Sequence, residues 1–241
     1  MILAAGFGSR LRPLTDRTPK PLLRVAGKPL IAYGLAVLRA AGIREVMINL
    51  HHRGDAIRAA LGSGAAYGVS ITYSEEDPIL DTGGAIKRAQ SFLGEGRFVV
   101  LNADIVCDLD LRDVIAWHGA RGALATMVLR PDQEAARYGI IEIDAAGRIR
   151  RFLGQPPALG VPLTPLMFAG VHVFEPQVFA YMEEGAFGIN RTTYPRLLAA
   201  SCPLFGYTFN GYWRVLDTHA GLAEGRWELL AGNCLAPQHR P

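Results

Sequence analysis

In the first half of the chain, short apolar runs alternate with segments of helical period, and this restricts the fold more than any other feature. Residues 2–4, 45–49, 70–73 and 98–101 read as strands of a few residues each, bounded by turn-forming residues. Residues 29–41, 54–61 and 84–92 lie between them and read as helices. The first helix is the best signalled. Pro29 suits an opening turn, Leu30, Val37, Leu38 and Ala41 form an apolar stripe, and Gly42 provides a stop. An alternation of this kind calls for a largely parallel sheet with helices on both faces.

The second half changes character. Residues 124–129, 139–143, 149–152 and 170–174 read as strands separated by turns, among them Asp144-Ala-Ala-Gly147. Pro156-Pro157 and Pro162–Pro165 mark a loop, and residues 190–200 and 220–230 supply closing helices. A partly antiparallel continuation of the first sheet is the economical arrangement. The expected fold is therefore α/β, a Rossmann-like three-layer sandwich with a mixed, mostly parallel central sheet. A chain of 241 residues fits one domain over residues 1–236, with 237–241 a frayed tail.

Composition excludes several classes of function. Apolar residues make up 50% of the chain, yet their longest runs, such as Phe98-Val-Val-Leu101, are far too short to span a bilayer. The first residues lack the charged and apolar regions of a secretory signal. Cys107, Cys202 and Cys234 are scattered, with no Cys-x-x-Cys, which points to a reducing, cytoplasmic setting without a disulfide framework or zinc site. A net charge of +3, without a basic stripe interleaved with aromatics, argues against a nucleic-acid partner. A homo-oligomer remains open.

The cations concentrate instead in one place. The first strand runs into Gly6-Phe7-Gly8-Ser9-Arg10, followed by Arg12 and Lys20. Glycine lets backbone N–H groups approach an anion closely, and the cations add charge that suits a polyphosphate. No P-loop is present, and Leu11 stands where a dinucleotide fingerprint needs its last glycine. Asn49-Leu50 at the end of the second strand also offers no acidic residue for a ribose, which weighs against an NAD-dependent oxidoreductase. Asp104 follows the 98–101 strand, and ligands of open α/β sheets bind beyond strand carboxyl ends. A carboxylate there suits Mg²⁺ beside a triphosphate. Asp81 or Thr82 reads as a helix cap, with Gly83 and Gly84 allowing the turn. Gly139 and Gly170 read as strand glycines at bulges or close contacts. His51 and His52 point to opposite faces of a strand and cannot chelate jointly. Trp117, Trp213 and Trp227 read as packing residues.

The run Leu3-Ala-Ala-Gly-Phe-Gly-Ser-Arg-Leu-Arg-Pro-Leu-Thr15, with Pro19-Lys20-Pro21-Leu22, resembles the signature of the sugar-1-phosphate nucleotidylyltransferases, the NDP-sugar pyrophosphorylases. The resemblance covers nearly the whole chain, is strongest over residues 1–110, and extends to no appended hexapeptide β-helix. It implies nucleotidyl transfer from an NTP to a sugar 1-phosphate with Mg²⁺. The catalytic residues would be Arg10, Lys20 and Asp104. Leu3, Ala4, Ala5, Gly6, Gly8, Ser9, Arg10, Thr82, Gly83, Gly84 and Asn102 would hold the nucleotide. Tyr138-Gly139, Gln155 and Gly170 would face the sugar. The Leu80-Asp-Thr-Gly-Gly84 turn looks most like the mannose-1-phosphate guanylyltransferase-like branch, with uridylyl- and thymidylyltransferases as alternatives.

Two departures stand out. The family's Phe-x-Glu-Lys-Pro reads Phe152-Leu-Gly-Gln155-Pro156, a neutral amide replacing the lysine that holds the sugar phosphate. The family's Trp-x-Asp-x-Gly-Thr, whose Asp is the second metal ligand, reads Trp213-Arg-Val215-Leu-Asp217-Thr218. On one strand Val215 and Asp217 would share a face about 6.5–7 Å apart, more than a Mg–O bond of about 2.1 Å absorbs. Asp217 then needs a bulge or a bound water to replace the ligand, and Arg214 is the nearest source of the missing positive charge. A catalytically impaired nucleotide-sugar-binding regulatory protein is the alternative these departures raise.

Overall fold

The computed structural model describes residues 1–132, 135, 139–156, 160–232 and 235. The chain forms two compact units. One comprises Met1–Ile79, Leu101–Leu111 and the chain from Gly211 on, the other Leu80–Val100 and Arg112–Asn210.

The first unit is built on parallel pairing. The strand Ile2–Leu3 lies between Glu45–Leu50 and the last residues of Phe98–Asn102, with Ile2 opposite both Ile48 and Leu101. Glu45–Leu50 pairs in parallel with Ser70–Glu75 over its whole length. The helix Leu30–Ala40 is buried at every position from Leu30 to Leu38, so it is a core element and not the one-sided stripe its spacing predicts. Ala32, Gly34 and Ala36 allow this, because small side chains let neighbours approach the helix backbone on faces that would otherwise meet water. The strand Trp213–Val215 pairs antiparallel with Ile105–Cys107. Just beyond it Leu216 packs in a buried cluster with Val25, Leu30, Tyr33, Val106 and Leu235.

The second unit carries the antiparallel part of the mixed sheet. Thr164–Phe174 pairs antiparallel with Ala125–Arg130 and with Ile140–Ile143, which pairs in turn with Ile149–Phe152. Leu204–Thr208 adds a parallel neighbour to Ala125–Arg130. The α/β class with a mixed sheet is thus as the sequence predicts. The strand ending at Phe174 is much longer than residues 170–174 and absorbs Thr164-Pro165 from the expected loop, since both residues find partners in Ile140–Ile143. Its register shifts between Phe168 and His172, and Gly170 lies in that bulge at φ +83°. The expected helix over 84–92 is instead two, Asp81–Arg88 and Gln90–Leu93. Among the described residues no helix is long and apolar enough to cross a membrane. The expected tail at 237–241 lies outside the described residues.

Candidate functional site

The strand Ile2–Leu3 ends after two residues, so the next amide has no ladder partner. Asn49 supplies one: Ala4 N–H donates to Asn49 Oδ1 at 2.7 Å, and Asn49 Nδ2 donates to Glu76 Oε1 at 2.8 Å. Asn49 is 3% and Glu76 4% exposed, and buried polar groups need such partners. This support was not foreseen, although an Asn inside the apolar run Val46–Leu50 is its visible signal.

Above that support the loop takes a shape only glycine permits at position 8. Gly8 has φ +63°, and a Cβ there would lie 2.9 Å from Thr15 Cγ2 and 3.1 Å from Lys20 Cβ. The Thr15 hydroxyl donates to the Gly8 carbonyl at 3.0 Å, and Leu11 N–H donates to it at 2.9 Å. Leu11 is fully buried and anchors the turn Ser9–Leu11. A Cβ on Gly6 would meet nothing within 4 Å. Ala4 and Ala5 are buried, while Gly6, Phe7, Ser9 and Arg10 are exposed. Leu3 and Asn102 sit opposite one another in the sheet. The loop is therefore braced from within and open outward.

Two ion pairs join this loop to the carboxylates singled out by sequence. Lys20 Nζ lies 2.5 Å from Asp104 Oδ2, and Arg10 Nη1 lies 2.6 Å from Asp217 Oδ2. Leu216 N–H donates to the Asp104 carbonyl at 2.8 Å, so the residue before Asp217 is bonded to Asp104 itself. The strand ends at Val215, which removes the premise that Val215 and Asp217 share one strand face. Arg214 does not supply spare positive charge. Its guanidinium grips Glu228 through Nε at 2.9 Å and Nη2 at 2.5 Å, with Glu224 at 3.1 Å from Nη1. That bidentate bond and the surrounding carboxylates push its pKa further up.

His51 and His52 lie beyond the strand Glu45–Leu50 and both turn to the same neighbour, so the expected alternation to opposite faces of a strand does not apply. His51 Nδ1 is 2.9 Å from the Glu76 carbonyl oxygen, and both rings pack on Phe7, with centroids 5.4 and 5.6 Å away. Among the described residues no group of three or more His, Cys, Asp or Glu could hold a metal. Asp104 and Asp217 offer two carboxylates, a donor set suited to a Mg²⁺ that arrives with phosphate oxygens and water.

In the second unit the capping expectation fails. The N-cap position of the helix Asp81–Arg88 is Leu80, which makes no side-chain cap bond, and among the described residues Asp81 Oδ1 accepts only from the adjacent Thr82 N–H at 2.6 Å. The Thr82 hydroxyl instead accepts from Ile189 N–H at 3.1 Å. Gly83 and Gly84 both donate to the Phe187 carbonyl, at 2.8 and 3.2 Å. Cβ atoms on them would lie 2.1 Å from Phe187 Cε2 and 2.2 Å from the Gly185 carbonyl. The glycines are thus needed by a crossing segment, and their amides are engaged in the fold. Gly139, at φ +100°, leaves room for Leu153, whose Cδ2 would be 2.4 Å from a Cβ there. Gln155 is exposed in a tight turn in which its backbone and that of Phe152 bond each other, at 2.7 and 3.0 Å. Tyr138 lies outside the described residues. Trp117 packs edge-on against Phe205 and Tyr207, as expected, but Trp227 is 76% exposed and packs little.

The sequence pattern of the family described as Nucleotidyl transferase matches residues 1–228. The chain belongs to that family. Its relatives include a UTP–glucose-1-phosphate uridylyltransferase of Synechocystis, 30% identical across 96% of this chain and 62% of that protein. A mannose-1-phosphate guanyltransferase of Candida albicans is 33% identical across 98% of this chain and 63% of that protein. The chain thus spans about three-fifths of the length of these curated relatives. Among solved structures, a candidate glucose-1-phosphate thymidylyltransferase from Bacillus anthracis, crystallised with sucrose, superposes with a TM-score of 0.82 at 27% identity. That match covers 99% of this chain and 97% of the other. Within this nucleotidyl transferase family member, Arg10, Lys20, Asp104 and Asp217 fall in one compact unit.

Proposed function

We propose that the chain transfers a nucleotidyl group from an NTP to a sugar 1-phosphate, releasing pyrophosphate, with the mannose-1-phosphate guanylyltransferase-like reaction as first choice. The observation that carries this reading is the pair of ion pairs: two loop cations held against two carboxylates, the charge pattern that a magnesium polyphosphate would meet. In the reaction a sugar-phosphate oxygen attacks the α-phosphorus, and the bond to the bridging oxygen of the departing pyrophosphate breaks. Such transfers depend on positioning and charge neutralisation more than on covalent help. Arg10 is exposed and carries the planar fork suited to the β- and γ-phosphates. Lys20, braced beside Gly8, is suited to the charge shared by nucleotide and sugar phosphate. The outward-facing Gly6 and Ser9 leave backbone groups open to phosphate oxygens, and Asn102, opposite Leu3 in the same unit, completes the proposed nucleotide contacts there. Gly139, Gln155 and Gly170 are the proposed sugar contacts. Asp104 and Asp217 are the residues that would hold Mg²⁺, which when bound offsets triphosphate charge.

The cytoplasmic setting is proposed from the scattered, motif-free cysteines of the sequence. The test is pyrophosphate release over a panel of NTPs and sugar 1-phosphates with Mg²⁺. GTP with mannose 1-phosphate is expected to be the best pair, and silence of a folded chain across the panel refutes the reading. Val215 and the exposed, neutral Gln155 favour a second reading, a nucleotide-sugar sensor. Tight NDP-sugar binding without turnover, unimproved by Val215→Asp, would select it.

A further inference from the structure

We propose that Asp217 competes with polyphosphate for Arg10, so that binding proceeds by exchange of partners: the phosphates take the guanidinium, and the freed carboxylate takes the cation that travels with them. This rests on the transfer reading above only in assuming that the loop meets a polyphosphate.

The asymmetry of the pair carries the argument. Asp217 is 5% exposed and Arg10 59% exposed, so the acid is fixed and the base lies free to swing. Asp217 is held from both sides. Before it, Leu216 is fully buried and its N–H is bonded to the Asp104 carbonyl. After it, Thr218 caps the helix His219–Leu230, accepting from Gly221 N–H at 3.1 Å, and His219 Nε2 reaches the Arg12 carbonyl at 3.0 Å. A nearly buried carboxylate stripped of the cation that pairs with it among the described residues would be strongly destabilised. Arg10 therefore cannot leave without a replacement charge arriving. Metal-free polyphosphate supplies none at Asp217 and must pull Arg10 away at a cost. Polyphosphate with a divalent cation satisfies both partners together. The Lys20–Asp104 pair at 2.5 Å lacks this asymmetry, its cation being 14% and its carboxylate 23% exposed, so the exchange is assigned to Arg10 and Asp217. The consequence is cooperativity between cation and phosphate, written into a residue that stands two positions beyond the expected ligand.

The experiment is calorimetric titration of the full chain with inorganic tripolyphosphate, in EDTA and in Mg²⁺. Asp217→Asn should bind metal-free tripolyphosphate about fivefold more tightly than the wild type, the upper end of the range for exposed ion pairs, because one partner here is buried. Asp16→Asn also removes a loop carboxylate but touches Arg12, not Arg10, and should change affinity less than twofold if exchange, not net charge, is responsible. Mg²⁺ should strengthen binding more in the wild type than in Asp217→Asn. Equal gains from Mg²⁺, or an Asp217→Asn affinity no higher than that of Asp16→Asn, overturn the proposal. Should Asp217→Asn fail to fold, Arg10→Gln tests the converse. With Asp217 released, Mn²⁺ alone, followed by electron paramagnetic resonance, should bind several-fold more tightly than in the wild type, and unchanged Mn²⁺ binding overturns the exchange. None of these readouts needs turnover. A chain that exchanges partners yet releases no pyrophosphate sinks the transfer reading alone, whereas an active enzyme whose variants bind like the wild type sinks the exchange alone.

Discussion

The Lys20–Asp104 contact sets stability against function, and a double-mutant cycle can read both. The charges are 2.5 Å apart, with side chains 14% and 23% exposed. Bare Coulomb attraction at an effective dielectric near 20 would be about 7 kcal/mol. Desolvating both groups cancels most of that, and the pair lies between fully exposed bridges, worth about 0.2–1 kcal/mol, and buried ones, whose disruption costs about 3–5 kcal/mol. A coupling energy of about 1–3 kcal/mol follows for Lys20→Met against Asp104→Asn, measured by urea denaturation of wild type, both single variants and the double. Each single variant strands a half-buried charge and should be destabilised. The double variant should regain much of the loss, because no charge is left stranded. Pyrophosphate release should stay abolished in all three variants, since Lys20 and Asp104 are proposed to act on the substrate and not merely on one another. A coupling below about 0.5 kcal/mol, the usual limit of additivity, would refute the estimate. Turnover restored in the double variant would refute the separation of roles.

Three further outcomes are expected. Asn49→Ala removes the acceptor of the buried Ala4 N–H and the donor to Glu76, so it should cost about 1–3 kcal/mol in chemical denaturation and lower activity through a loosened loop. Gly83→Ala gains about 1 kcal/mol of helix propensity but sets a Cβ 2.1 Å from a Phe187 ring carbon. Overpacking of this kind costs about 1–3 kcal/mol or more, so the melting temperature should fall. His172 is buried among Phe168, Phe174 and Tyr194, and burial pushes its pKa down to about 3. Below pH 6.5 the unfolded chain takes up a proton that the folded chain refuses, so stability should fall with falling pH by about 1.4 kcal/mol per unit until pH 3. His118, also pushed down mainly by burial, contributes its own slope. The diagnostic is therefore the difference between wild type and His172→Gln from pH 6 to 4, and parallel curves would refute it.

Much of the fold was legible where local signals agree. Gly54–Leu61 and Ile149–Phe152 form where their periodicity places them. Asp104 sits at a strand end against Lys20, as the position of the loop and the strand-end rule imply. What was not legible depends on partners distant in sequence. Thr164-Pro165 looks like a loop because Pro lacks an N–H, yet Pro165 needs none opposite Glu142. Asp81 and Thr82 look like caps because their short polar side chains favour that role, but Ile189 claims the Thr82 hydroxyl. Arg214 looked available because Glu224 and Glu228 lie a full helix turn or more beyond it. Asn49 stands out as a polar residue in an apolar run, but its partners Ala4 and Glu76 lie 45 and 27 residues away, so the sequence does not name them.

The glycine turn at 83–84 bears on how the protein emerges from the ribosome. Ile189 N–H meets the Thr82 hydroxyl across 107 residues, and Gly83 and Gly84 rest their amides on Phe187. The opening turn of the helix Asp81–Arg88 therefore stays unfinished while the intervening segment is translated. Until residue 189 clears the exit tunnel, the Gly83 and Gly84 amides face water, so premature termination before that point should release a fragment prone to proteolysis at this turn.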